Sequence, residues 1–104
     1  MPETIALHTR LKPGAAEAYE SAHATIPEEL VAALRSAGVL NWRIWRSGAD
    51  LFHLVEVQDY QGMRHALADH PANVAWQERM STLLAVQDDY SGNDLGIPKV
   101  WELP

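Results

Sequence analysis

The sequence predicts an α+β fold of the ferredoxin-like type, in which a small antiparallel sheet carries helices on one of its faces. Two observations support this prediction. Segments with alternating apolar and polar residues, typical of strands, are separated by segments whose apolar residues recur every three or four positions, typical of helices. Their order is strand, helix, hairpin, helices and strand. The chain has 104 residues, so we expect a single domain covering residues 1–104.

The first strand is predicted over Thr4 to Leu11, where apolar and polar residues alternate. Lys12-Pro13-Gly14 ends it, because a proline cannot continue a strand ladder. The next segment, Ala15 to Leu34, is the longest with helical periodicity. Pro27 removes a backbone donor from its interior, so we expect two helices in place of one. The pattern from Thr25 to Glu28 is typical of a capping box at the start of the second.

A hairpin is predicted after these helices. Gly38 marks the end of the second helix, and the strands are expected over Asn41 to Arg46 and Leu51 to Val57. The third strand of the sheet is apolar on both faces apart from His53 and Glu56, which indicates a central position. The face of the sheet that lacks helices then needs a cover, and a second copy of the chain would provide one. We therefore expect a homodimer.

Two further helices and a strand complete the predicted fold. Asp59 is the expected N-cap of a short helix that ends near His70, since the residue before a proline is biased out of the helical region. Another helix is predicted over Asn73 to Leu84, with Trp76 on its apolar stripe. A polar loop from Gln87 to Pro98 then leads to a last strand over Lys99 to Leu103.

Composition argues against several classes of function. Cysteine is absent, so disulfides and thiolate metal sites are excluded. No signal-peptide pattern or long apolar run occurs, and we expect a cytoplasmic protein that does not bind a membrane. A net charge of −6 disfavours nucleic acid as a partner. Four Trp and three Tyr provide rings with polar groups, which suit a polar ligand with apolar faces, such as a sugar.

Two side chains on the apolar stripe of the first helix are candidates for chemistry. Tyr19 and His23 are four residues apart and share one helical face with Ala22, Ile26 and Leu30. An imidazole exchanges a proton near neutral pH, and a phenol hydroxyl orients a ligand oxygen. The alternative is a purely structural role, since a single histidine on an apolar stripe is more often a core residue.

The remaining histidines do not show a metal-binding pattern. His8, His23 and His53 would form a metal site only if their rings converged, and the sequence does not establish this. His65 and His70 are five residues apart and lack any recognised ligand spacing. We therefore expect no metal and no other cofactor.

Aromatic and acidic residues are weaker candidates for ligand binding. Trp42 and Trp76 offer stacking surfaces for a sugar ring, although tryptophans at strand or helix-stripe positions are usually in the core. Asp88 and Asp89 are candidates for binding ligand hydroxyls, but two adjacent acids in a loop are most often solvated. No nucleophile elbow, phosphate loop or dinucleotide fingerprint is present.

Several short motifs are distributed over nearly the whole chain. They are Leu11-Lys12-Pro13, Tyr19-x-x-x-His23-x-x-Ile26, Glu29-Leu30, Gly38-x-x-Asn41-Trp42, the Phe52 to Val57 strand, Trp76 with Met80, and the terminal Val100-Trp101-Glu102-Leu103-Pro104. With these motifs the sequence resembles the L-rhamnose mutarotase family, small dimeric α/β-barrel proteins that interconvert the anomers of a 6-deoxy sugar. The resemblance implies a dimeric α/β barrel and a sugar substrate, with neither a metal nor a redox cofactor.

The resemblance also implies a role for particular residues. It implies that His23 donates and accepts the proton, and that Tyr19, Trp42, Trp76 and Gln77 bind the sugar. The expected activity is the interconversion of the α and β anomers of a 6-deoxy hexose such as L-rhamnose or L-fucose by general acid/base catalysis.

The chain departs from the family pattern at two single positions and in one short segment. The family usually has tyrosine at the position of Trp42 and a second tryptophan at the position of Gln77. It also has Ile-Trp-Pro-Glu where this chain has Ile26-Pro27-Glu28-Glu29. These changes fall around the expected pocket, so they bear on which sugar is bound.

Two other functions are compatible with the same residues. One is a dimeric α/β-barrel protein that is not a mutarotase and binds a small, more apolar ligand. A pocket with few polar groups beyond His23 and Tyr19 would favour it. The other is a structural dimerisation module without any cavity, in which the histidines are core residues.

Overall fold

The computed structural model describes all 104 residues and contains one four-stranded antiparallel sheet with four helices. In chain order the elements are β1 (Glu3–Leu11), α1 (Ala16–Ala24), α2 (Glu28–Ser36), β2 (Val39–Ser47), β3 (Asp50–Val57), α3 (Tyr60–Ala68), α4 (Pro71–Ser81) and β4 (Leu84–Val86). The strand order is β2-β3-β1-β4, so β3 is an interior strand, as predicted. The predicted α+β fold is confirmed. The longest helix, α4, has 11 residues, so none of the four helices could span a bilayer.

The long helical segment is interrupted where Pro27 predicts it. Helix α1 ends at Ala24, Thr25 has extended backbone, and α2 begins at Glu28. The predicted capping box is wrong, because Pro27 itself is the N-cap and no side chain caps the helix. A proline has no side-chain oxygen with which to accept a hydrogen bond from the first turn. The interruption leaves His23 in the last turn of α1.

The boundaries of α3 and α4 follow from their capping residues. The Asp59 carboxylate accepts a hydrogen bond from the backbone N–H of Gly62 at 3.1 Å, which confirms the predicted cap of α3. His70 is the N-cap of α4, where its Nδ1 accepts from the backbone N–H of Ala72 at 3.2 Å. Pro71 follows at the first helical position, where a backbone N–H would have no partner within the helix, so its absence costs no hydrogen bond.

The prediction of the last strand is wrong. The fourth strand is Leu84–Val86, and it pairs with β1 at Arg10 and Leu11. Leu84 continues the apolar stripe of α4, which is why the sequence pattern extends that helix too far. The residues from Lys99 to Leu103 form no strand, and Trp101 among them is 72% exposed. Their alternation is not matched by any partner strand within this chain.

The two faces of the sheet differ in their cover. Leu51, Val55 and Val57 of β3 lie on the helix-covered face and are buried. On the other face Phe52 lies directly opposite Trp45 of β2, and both rings are exposed. The core therefore lies between the sheet and the helices, in two clusters of buried side chains. Five residues of the first cluster line the cavity described next, namely Tyr19, Leu30, Trp76, Met80 and Leu84.

Candidate functional site

A cavity of about 220 Å³ lies between the helix-covered face of the sheet and helices α1, α2 and α4. Most of its lining is apolar. The polar side chains and ring hydroxyls around it belong to Thr9, Tyr19, His23, His53, Asn73, Gln77, Asp88 and Tyr90. Pockets for drug-sized ligands usually measure about 300–1,000 Å³, so this cavity suits a smaller molecule such as a monosaccharide.

The five residues that sequence analysis assigns to the site all line this cavity. Tyr19 and His23 come from α1, Trp42 from β2, and Trp76 and Gln77 from α4. Elements separated in the sequence thus bring an imidazole, a phenol, two indoles and an amide together. This arrangement offers one proton-transfer group and aromatic surfaces to a single small ligand.

A hydrogen bond to one nitrogen of His23 leaves the other available to a ligand. Its Nδ1 lies 2.9 Å from the backbone oxygen of Tyr19. A carbonyl oxygen only accepts, so Nδ1 donates and the neutral ring keeps an unshared electron pair on Nε2. The ring packs between Tyr19, with ring centroids 4.1 Å apart, and the edge of Trp76, at 5.1 Å. These contacts hold the imidazole in one orientation.

The surroundings of His23 favour its neutral form. Burial lowers its pKa from the ordinary value of 6.5, and the nearby charge of Arg79 lowers it further. The hydrogen bond to the Tyr19 carbonyl opposes these effects without outweighing them. At neutral pH the ring is therefore mainly unprotonated, and Nε2 can act as a base. The Tyr19 hydroxyl keeps its proton, because burial and the charge of Asp88 raise its pKa.

A chain of hydrogen bonds connects Trp42, His53 and Thr9 across three strands. Trp42 Nε1 donates to His53 Nδ1 at 3.0 Å, so the proton of the neutral imidazole is on Nε2. That Nε2 donates to Thr9 Oγ1 at 2.9 Å. Burial lowers the pKa of His53, which keeps the ring in this neutral form. The Trp42 indole is thus fixed, and its N–H is engaged within the protein.

Two amide side chains of α4 are also linked. Gln77 Nε2 donates to Asn73 Oδ1 at 3.2 Å, and Asn73 Nδ2 donates to the backbone oxygen of Leu67 at 3.0 Å. Asn73 is buried, and its two hydrogen bonds fix its orientation. It therefore holds the Gln77 amide at the cavity wall.

Asp88, which sequence analysis weighs as a hydroxyl-binding candidate against the solvated role usual for a loop acid, lines the cavity. Its carboxylate accepts a hydrogen bond from Arg64 Nη2 at 2.7 Å, and Arg64 is fully buried. Asp89 follows the expectation for a loop acid, since it is partly exposed and accepts from the backbone N–H of Ser91 at 2.8 Å. One signal in the sequence was available. Arg64 lies four residues after Tyr60 on the buried stripe of α3, and a buried arginine needs an acidic partner.

The histidines do not converge on a metal site. His8 lies on the open face of the sheet and pairs with Asp50 at 2.9 Å, whereas His53 and His23 face the cavity. Successive residues of a strand point to opposite faces, so the register of β1 separates His8 from the other two. No group of three or more His, Asp or Glu side chains is arranged to hold a metal ion.

The chain is similar in sequence to proteins of one family. The family model for L-rhamnose mutarotase matches residues 4–103. Proteins named L-rhamnose mutarotase from Brucella anthropi and Acidiphilium cryptum are 30% and 31% identical to this chain over 104 residues. Each alignment covers 98% of this chain, with 97% of the Brucella protein and 99% of the Acidiphilium protein.

A solved structure has the same fold. The crystal structure of an L-rhamnose mutarotase from Formosa agariphila superposes on this chain with a TM-score of 0.78. The superposition covers 98% of this chain and 99% of the other, at 23% sequence identity. At that level of identity the likeness supports the architecture of the sheet and its helices.

Proposed function

The chain belongs to the L-rhamnose mutarotase family, and from this premise we propose that it interconverts the α and β anomers of L-rhamnose or a related 6-deoxy hexose such as L-fucose. The observation that carries the proposal is the convergence of His23, Tyr19, Trp42, Trp76 and Gln77 on one cavity of monosaccharide size. Membership in the family supports the type of reaction, and the cavity supports the size of the substrate.

The proposed reaction moves one proton between two sugar oxygens. His23 Nε2 takes the proton of the anomeric hydroxyl as the bond between the anomeric carbon and the ring oxygen breaks. The imidazolium then gives that proton to the ring oxygen, which yields the open-chain aldehyde. Rotation of the aldehyde group and the reverse steps close the ring as the other anomer. Proton transfer by a positioned side chain contributes about 10²–10⁴-fold, which suffices for a reaction that also proceeds without a catalyst.

The cavity walls suit a deoxy sugar. Trp42 and Trp76 provide apolar surface for the C–H faces of a pyranose and for a methyl group in place of a hydroxymethyl group. The Trp42 N–H is engaged with His53, so we expect this residue to bind the sugar through its ring surface. Of the altered segment Ile26 to Glu29, only Ile26 lines the cavity.

We also propose that the working form is a homodimer in which two sheets form a dimeric α/β barrel. Trp45 and Phe52 form an exposed aromatic pair on the open face. The exposed apolar residues of the terminal segment, Lys99 to Leu103, find no partner strand within the chain. A second copy would cover both surfaces.

A more apolar ligand is the second candidate for the same cavity. A pocket with few polar groups beyond Tyr19 and His23 would favour this alternative. The cavity also contains Asp88, Gln77 and His53, which favours a ligand with several hydroxyl groups. The existence of the cavity argues against a module whose only role is dimerisation.

Saturation-transfer NMR tests the proposed activity directly. Anomer exchange is measured for L-rhamnose, L-fucose and a hexose with an intact hydroxymethyl group, with and without the protein. We expect faster exchange for a 6-deoxy sugar and a smaller effect on the hexose. The same rates with and without protein for every sugar would contradict the proposal.

A further inference from the structure

We propose that Asp88, held in place by the buried Arg64, binds a hydroxyl group of the sugar and thereby helps to determine which sugar the cavity accepts. This inference rests on the mutarotase function proposed above. It assigns Asp88 a binding role that is separate from proton transfer at His23.

The geometry of Asp88 suits a hydroxyl acceptor. Its side chain is only 10% exposed and borders the cavity, and Oδ1 is engaged by Arg64 Nη2 at 2.7 Å. A carboxylate accepts several hydrogen bonds, so one contact with Arg64 leaves further lone pairs for a ligand. Its charge acts on the neighbouring cavity residues, since it raises the pKa of Tyr19 in addition to the effect of burial. Sugar hydroxyls are donors, and a carboxylate is the strongest acceptor that a side chain offers.

Arg64 fixes the position of this carboxylate. Its side chain is 1% exposed, its Nε donates to the Tyr60 hydroxyl at 3.0 Å, and its guanidinium lies 4.5 Å from the Tyr90 ring centroid. Burial alone would lower the pKa of Arg64, but the hydrogen bond and charge of Asp88 raise it above its ordinary value. The guanidinium is therefore charged at every working pH. The ion pair is enclosed and has little room to reorient.

The stability of the fold does not explain this ion pair. Replacing a buried ion pair by apolar side chains of similar volume is often neutral or stabilising. In this pair Arg64 Nη1 is also buried without a hydrogen-bond partner, which adds a further cost. What the pair does provide is a carboxylate held in a fixed orientation at the wall of a mostly apolar cavity. Such isolated, well-placed polar groups are how small-molecule sites obtain specificity.

Nearby acids provide matched controls. Asp94 lies 3.8 Å from the same Arg64 Nη2 but does not line the cavity. Asp89 is adjacent in sequence and likewise lies outside the cavity lining. Asp94→Asn therefore tests the effect of removing a charge near Arg64, and Asp89→Asn tests the effect of removing a loop charge. Neither variant removes an acceptor from the cavity.

The test compares Asp88→Asn with these controls on L-rhamnose and its monodeoxy analogues, or on the best 6-deoxy substrate found. We expect Asp88→Asn to raise KM about tenfold with a smaller change in kcat, because charge-assisted hydrogen bonds are about twice as strong as neutral ones. In the native protein, the analogue that lacks the contacted hydroxyl should bind about tenfold more weakly than the parent sugar. In Asp88→Asn that difference should shrink to about threefold or less. The control variants should keep the native pattern.

A second variant covers the case in which Asp88→Asn does not fold. Asp88→Glu keeps the charge for Arg64 but advances the carboxylate by one methylene, so it should change the order in which the analogues bind. The inference is overturned if a folded Asp88 variant keeps the native KM and the native order of analogues. If the native protein accelerates no sugar, the proposed function fails, whereas native activity with indifferent Asp88 variants overturns this inference alone.

Discussion

The two sides of the sheet differ in the surroundings of their ion pairs. On the helix-covered side, Arg64 of α3 is buried, and its partner Asp88 lines the cavity. On the open face, Arg43 is about half exposed, and its contact with Glu56 is 4.0 Å long. The same side-chain types therefore serve different purposes. The covered side holds polar groups around a ligand-sized space, and the open face presents exposed residues that a second copy of the chain would cover in the proposed dimer.

The two sides of the sheet should differ most in how much stability is lost when Arg64 or Arg43 is replaced by alanine. Arg64→Ala should lower the free energy of unfolding by about 3–5 kcal/mol, because it leaves a nearly buried carboxylate without its partner. Arg43→Ala should change it by about 0.5 kcal/mol or less, as is usual for an exposed pair. Urea unfolding of both variants at one protein concentration measures the contrast. Equal losses would show that the Asp88 carboxylate is not sufficiently buried to need Arg64 as its partner.

Replacing Trp76 or Trp45 by alanine should show a similar but smaller difference in stability. Trp76→Ala should destabilise the fold by about 3 kcal/mol, the low end for such a change, because the ring already borders a cavity. Trp45 is 54% exposed, so Trp45→Ala should leave the stability of the dilute protein within about 0.5 kcal/mol of the native value. Thermal unfolding followed by fluorescence at nanomolar concentration, well below the range in which we expect the dimer, compares the two.

Trp45 should matter instead for association. We expect the native protein to sediment as a dimer at micromolar concentration, and Trp45→Glu to shift it towards monomer, because a charge would be placed in an apolar interface. Arg43→Ala is a control on the same strand. A native protein that is entirely monomeric would contradict the proposed dimer. A dimer indifferent to Trp45 would place its interface elsewhere.

The smallest expected effect is on the pH dependence of stability. Burial lowers the pKa of both His23 and His53 below 6.5, so the unfolded chain binds more protons than the folded one. Their contribution to stability is therefore complete above about pH 6.5 and is lost as the pH falls through the lowered values. Urea midpoints between about pH 5 and 8 should decline on the acid side. His23→Asn should flatten that decline, whereas His65→Asn, on the exposed side of α3, should not.

Sequence analysis succeeded where local rules determine the structure. The break at Pro27 depends on a missing backbone donor, and the shared face of Tyr19 and His23 depends on helical spacing. The hairpin and the interior position of β3 follow from alternation and short connections. These features require no knowledge of distant contacts.

The failures concern residues whose environment is determined by distant partners. Alternation in Lys99 to Leu103 predicts a strand, but a strand also needs a partner, which this chain does not supply. Asp88 resembles any solvated loop acid until Arg64, from α3, is placed beside it. His53 accepts a hydrogen bond from Trp42 and donates one to Thr9. Both partners reach its ring only through the pairing register of the three strands.

The central claim is that the His23 imidazole transfers the proton in the cavity. The most direct test is anomer exchange by saturation-transfer NMR in His23→Asn, on a sugar that the native protein accelerates. Asparagine can still form hydrogen bonds but cannot carry a proton between oxygens, so the rate should fall by a factor on the order of 10² or more while the protein remains folded. His65→Asn, the same change at an exposed helical position, should keep the native rate. A folded His23→Asn protein with the native exchange rate would contradict the claim.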